Sequence, residues 1–135
     1  MEWEGSIVRT TLDITSILYS LVNAPAVKSL LSGGVYKDER PANSTARDVV
    51  VASTTVDNES FQTGVGYINI HDSGAMPDHV WFKSVIDTII PLVKAHYVRN
   101  DYHLLVTNVS GPVRQTDGDG FYMSIRVRAK LYYND

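Results

Sequence analysis

Apolar and polar positions alternate through the last run of the chain, FYMSIRVRAKLYY. Phe121, Met123, Ile125, Val127, Ala129, Leu131 and Tyr133 fall on one side, and Tyr122, Ser124, Arg126, Arg128, Lys130 and Tyr132 on the other. Successive side chains of a strand point to opposite sides of its sheet, so this period predicts a half-buried strand with three cations on the side away from the core. A different period opens the chain. Ile14, Ile17, Leu18, Leu21 and Val22 recur at three- and four-residue steps, which predicts an amphipathic helix with Asp13 as its N-cap. Asn23, Ala24 and Pro25 interrupt it, and PAVKSLL predicts a short second helix stopped at Gly33 and Gly34.

Between these ends the pattern switches twice. A short extended piece at 35–37 precedes the polar segment from Asp38 to Arg47, whose Pro41, Asn43 and Ser44 read as a loop. DVVVASTTV and FQTGVGYINIHD, separated by Asp57-Asn58-Glu59, predict an antiparallel hairpin, with Gly64 and Gly66 marking a bulge. Pro77 and Asp78 then start a long helix whose stripe is Phe82, Val85, Ile86, Ile89, Val93 and Tyr97. Pro91 inside it predicts a kink near Asp87 or a break, with the helix ending around Val98. YHLLVTNVSGPV and the final strand close the chain around a turn containing DGDG. The expected fold is therefore α+β in a single domain over residues 1–135. An antiparallel sheet of about four to five strands packs on an amino-terminal helix pair and one long helix, and residues 1–12 form a flexible or docking arm.

Composition narrows the function more than the fold. The formal net charge of -3 over 135 residues opposes long-range attraction to nucleic acid or anionic membrane, so any anion binding must be local. No apolar run approaches the roughly 18 residues of a membrane span, and the acidic start MEWEGSIVRTTLD lacks the basic and apolar regions of a signal peptide. With no cysteine, the chain has no disulfide, thiolate nucleophile or cysteine-ligated zinc.

Candidate chemistry is sparse. His71, Asp72 and His79 are competent metal donors but match no ligand spacing, and read as surface or capping residues. Asp117 and Asp119 lack the third acid and later glutamate of an EF-hand and read as a turn. Neither a G-x-S-x-G elbow nor a GxxxxGK[ST] cradle is present. GFYMSIRV loosely echoes the RNA-recognition signature, but Asp119, Tyr122 and Met123 stand where a cation, a small residue and a stacking aromatic belong. Tyr67, Tyr122 and Tyr132 beside Arg126 and Arg128 would still suit a single-strand binder. The other readings of the basic row are a charged, solvated face that protects the sheet and a contact with acids of a neighbouring copy, for which YKDER and DNES are candidates.

The order of elements resembles the tail-completion and tail-terminator proteins of tailed phages. ILYSLVNAPAVKSLL leads to glycine and VYKDERP, then two strands, a helix over WFKSVIDTIIPLVKAHY, and a closing strand pair ending FYMSIRVRAKLYY. Nearly the whole chain is covered; the longer polar loop around DERPANSTARD and Pro91 depart from the family pattern. The resemblance implies a non-enzymatic virion component without cofactor, assembled in the host bacterial cytoplasm. It would form a ring, typically hexameric, that caps the tail tube and joins it to the head connector around a lumen through which DNA passes. On that reading Arg126, Arg128, Lys130, Tyr122 and Tyr132 lie in a subunit contact or the lumen. Trp3, Lys37, Asp38, Glu39, Arg40 and Arg47 become arm and loop contacts with a neighbouring copy or the tube protein.

Overall fold

A computed structural model describes residues 11–57, 61–95, 102–115 and 120–132. Its elements are α1 (Thr11–Val22), α2 (Pro25–Lys28), β1 (Val35–Lys37), β2 (Asp48–Asp57), β3 (Phe61–Asp72), α3 (His79–Lys94), β4 (Tyr102–Arg114) and β5 (Phe121–Tyr132). The strands form one five-stranded sheet in the order β1-β2-β3-β5-β4, antiparallel throughout except for β1, which runs parallel to β2. The chain is thus an α+β single domain, with helices on one face of its sheet. Among the described residues no helix is long and apolar enough to cross a membrane.

The core lies between helices and sheet. Ile14, Leu18 and Val22 of α1 and Phe82, Val85, Ile89 and Val93 of α3 are fully or almost fully buried. They pack with Val49 and Val51 of β2, Ile68 and Ile70 of β3, Leu104 of β4, and Ile125, Val127, Ala129 and Leu131 of β5. The alternation read from β5 therefore marks its inner face correctly. A buried polar contact joins α1 to β2: Thr15, wholly buried, places Oγ1 2.7 Å from Ser53 Oγ and so satisfies a hydroxyl that burial would otherwise penalise.

Three sequence expectations are corrected. Asp13 is the third residue of α1 and not its cap. The β2–β3 register is continuous through Gly64 and Gly66, so neither glycine makes a bulge. Gly66 instead lets α1 approach, since a Cβ there would stand 2.2 Å from Leu18 Cδ1. The irregular strand is β4, whose register with β5 shifts between Val106 and Asn108 and between Ser110 and Val113, the second shift spanning a cis Gly111–Pro112 bond. Finally, of the kink or break expected at Pro91, the break is absent: α3 continues through Pro91 to Lys94. Pro91 and Asp87 both lie on its exposed side, so the Asp87 carbonyl that proline leaves without a helical donor faces water. The expected helix end near Val98 and the Asp57-Asn58-Glu59 turn lie wholly or partly outside the described residues.

Gly120 enters β5 at φ 105°, and a Cβ there would stand 2.0 Å from the Asp72 carbonyl oxygen. Because the obstacle is backbone, it cannot rotate aside. Gly120→Ala is expected to lower stability by about 1–3 kcal/mol through crowding and the unfavourable φ. A shifted urea midpoint would show this, and an unchanged midpoint would contradict it.

Candidate functional site

The face of the sheet turned away from the helices is the candidate site. Register places Asp48, Val50, Ala52 and Thr54 of β2 beside His71, Asn69, Tyr67 and Val65 of β3. Those in turn face Tyr122, Ser124, Arg126 and Arg128 of β5. Across β5, Val113 opposes Tyr122, Asn108 opposes Arg126, Leu105 opposes Arg128 and His103 opposes Lys130. Three successive rows hold the cations, the first two of them exposed ones. In one, Arg126 is exposed and its guanidinium carbon lies 5.5 Å from the ring centroid of Tyr67, directly opposite. In the next, Arg128 is exposed between Val65 and Leu105, itself 42% exposed. Lys130 is half-buried between Thr63 and His103. Tyr122 stacks on His71, with ring centroids 5.6 Å apart and planes 27° from parallel, and Tyr132 pairs with Phe61 at the end of β5.

One corner of this face is covered by the chain itself. Parallel neighbours such as β1 and β2 require a crossover. Here the polar segment 38–47 provides it by passing over the sheet's outer side. It roofs a cleft of about 760 Å³ over Val50, Asn69 and His71, with Ser73 and Gln115 at its margin. Asp48 anchors the roof from a wholly buried position: Gly34 N–H donates to its Oδ1 (3.1 Å), Ser44 Oγ donates to its Oδ2 (2.6 Å), and Arg40 Nη1 lies 3.7 Å from the same oxygen. Arg40 Nη2 also donates to the Ser44 carbonyl at 2.6 Å. On the far side of the cleft, Gln115 Nε2 donates to the Asp72 carbonyl (3.2 Å), while its Oε1 lies 3.1 Å from His71 Nδ1.

Arg47 ties the end of the roof to the core. Its Nε donates to Asp72 Oδ1 at 3.2 Å and its Nη2 to Asp78 Oδ2 at 2.9 Å, and its guanidinium lies 4.4 Å from the Trp81 ring centroid. Asp78 is also the N-cap of α3, accepting from Trp81 N–H at 3.1 Å. That backbone bond, together with the bond from Arg47, holds the Asp78 carboxyl below its ordinary value of 3.8.

The sequence-read contacts therefore divide. Arg40 and Arg47 are spent within the molecule, and Lys37 is bonded to Ser16 (3.3 Å) and lies over the Tyr19 ring. Asp38 and Glu39 are exposed. Neither of them, nor Arg126 or Arg128, forms an ion pair with another described residue. Trp3 and the acidic pair of the DGDG turn lie outside the described residues. His71 and Asp72 point to opposite sides of β3, Asp72 toward Arg47, and His79 is exposed at the start of α3. No group of three histidine, aspartate or glutamate residues that could hold a metal exists among the described residues. Leu105 and Val113, 42% and 45% exposed, escaped sequence reading because a bulged strand has no constant period. No family model and no curated protein matches the chain.

The Arg47 links predict how the roof fails. Arg47→Ala leaves the Asp72 carboxylate, which is only 6% exposed, without its charged donor and is expected to cost about 1–3 kcal/mol. Equilibrium urea unfolding checks this. Because the folded-state pKa of Asp78 is depressed, its stabilising contribution is complete above the ordinary value of 3.8 and is lost as pH falls below it. Thermal unfolding of Asp78→Asn, in which the amide oxygen still caps but the charge is gone, should lie below wild type at neutral pH and converge with it as pH drops below that value.

Proposed function

We propose that the chain is a non-enzymatic structural protein of a phage or prophage virion, which closes with copies of itself into a ring at the end of the tail tube or at the head-to-tail joint. The tail tube protein and head–tail connector are its expected partners, and DNA passes through its lumen. The order of elements that resembles tail-completion and tail-terminator proteins supports this reading. So does the α+β single domain, with its helix pair and longer helix on one side of the sheet.

The observation that carries it is the open sheet face, where Arg126 and Arg128 form no ion pair with another described residue and Arg128 lies opposite exposed Leu105. Burying Leu105 recovers on the order of 1 kcal/mol, and pairing desolvated arginines adds orientation and specificity. A lumen that lets DNA slide gains nothing from tight phosphate binding, since each neutralised phosphate adds affinity through counterion release. That favours Arg126 and Arg128 in the subunit contact.

A second reading has its own observation. Arg126 over Tyr67 and Tyr122 on His71 form a cation–aromatic strip of the kind on which single-stranded nucleic acid stacks. Native mass spectrometry of the full chain separates the two. Ring assembly predicts one closed oligomer of about six copies, with no change in anisotropy of a labelled single-stranded oligonucleotide. A monomer at high micromolar concentration, unaltered by tube protein, would contradict it. Submicromolar oligonucleotide binding that collapses with salt would establish the second reading in its place.

A further inference from the structure

The charges of the open face that form no ion pair among the described residues are not scattered; register puts them in line. Asp38 N–H donates to the Val51 carbonyl at 2.8 Å, which fixes the Asp38–Glu39 turn at the β1 edge of the sheet at the level of Val51 and Ala52. Ala52 opposes Tyr67, and Tyr67 opposes Arg126. The acidic turn and the arginine therefore lie on the same cross-strand row, separated by three strand steps of about 4.8 Å each, or roughly 14 Å. At that distance exposed charges are largely screened by salt, and neither acid forms an ion pair with Arg126 within the chain. Lys37, Arg40 and Arg47, the cations nearest the turn in sequence, are held by Ser16, Ser44 and Asp72. The row thus carries negative charge at its β1 edge and positive charge on β5.

Resting on the ring reading above, we infer that the acidic turn Asp38–Glu39 of one copy docks on Arg126 and Arg128 of the next, making a head-to-tail contact between different patches of identical chains. Paired reciprocally the same two patches would close a two-fold dimer; on the ring reading the contact is heterologous, each copy's acidic turn meeting one neighbour and its basic row the other until the series closes. The partner is a second copy of this chain because it supplies the complementary charge on the uncovered side of the same sheet.

Charge-swapped variants test the contact. Asp38 has φ 65°, a left-handed conformation that asparagine tolerates, so the acidic end is changed by Asp38→Asn with Glu39→Lys and the basic end by Arg126→Glu with Arg128→Glu. All four positions are exposed, and each variant should retain the wild-type circular dichroism spectrum. Each alone should raise the concentration needed for assembly about tenfold or more, because like charges then meet at the contact. Mixed together, the two variants should recover rings that contain them in equal numbers by native mass spectrometry, since each supplies the end that the other lacks. Recovery also shows that both variants fold. Wild-type rings with no recovery on mixing, or with either variant assembling as wild type does, would overturn this contact and leave the ring reading standing. Absence of wild-type rings would remove both.

Discussion

A sheet has two faces, and the helices of this chain cover one. Ile14, Leu18 and Val22 of α1 and Phe82, Val85, Ile89 and Val93 of α3 are committed to the inner side, where they meet the buried alternate residues of β2, β3, β4 and β5. The hydrophobic gain that holds the domain together is collected there. The outer face is left mixed, with Val65, Tyr67 and Leu105 around Arg126 and Arg128 among neutral polar residues such as Asn69, Ser124 and Asn108. Antiparallel sheets commonly keep one face in water, but such faces are ordinarily polar throughout. Exposed leucine and valine on this one make it suited to being covered.

The crossover from β1 to β2 extends that logic. It has no helix to carry it, so a polar segment crosses the outer face and must satisfy its own backbone and charges. Asp48 and Arg47 do this from adjacent positions. Asp48, buried at the start of β2, gathers Gly34, Ser44 and Arg40, while Arg47 spans Asp72, Asp78 and Trp81. The consequence is selective. Basic residues of the segment are drawn inward, whereas Asp38 and Glu39 remain in solvent at the sheet edge. A neutral-looking polar loop becomes an acidic one once folded, opposite a row that stays basic.

Periodic segments were legible in the sequence because one physical rule governs every residue in them. The inner face of β5, the stripes of α1 and α3 and the pairing of β2 with β3 all follow from alternation or helical spacing. What escaped depends on contacts between distant residues. Gly66 reads locally as a bulge but serves the approach of Leu18; Pro91 reads as a break but sits where its carbonyl partner faces water. The parallel placement of β1 leaves no trace in a three-residue strand, and without it the reach of segment 38–47 over the sheet is invisible. The arginines of β5 were found by alternation alone, whereas the inward commitment of Arg40 and Arg47 required the fold.

The central claim is that the outer face of the sheet is covered by another copy. Because the chain contains no cysteine, a single thiol introduced by Leu105→Cys reports on that face alone. Its rate of maleimide labelling, followed with protein concentration alongside the sedimentation coefficient, is the most direct measurement. If a neighbouring copy covers this face, labelling slows in step with the rise in mass. Growth in mass with unchanged labelling would place the contact elsewhere, and constant mass with constant labelling would contradict self-assembly altogether.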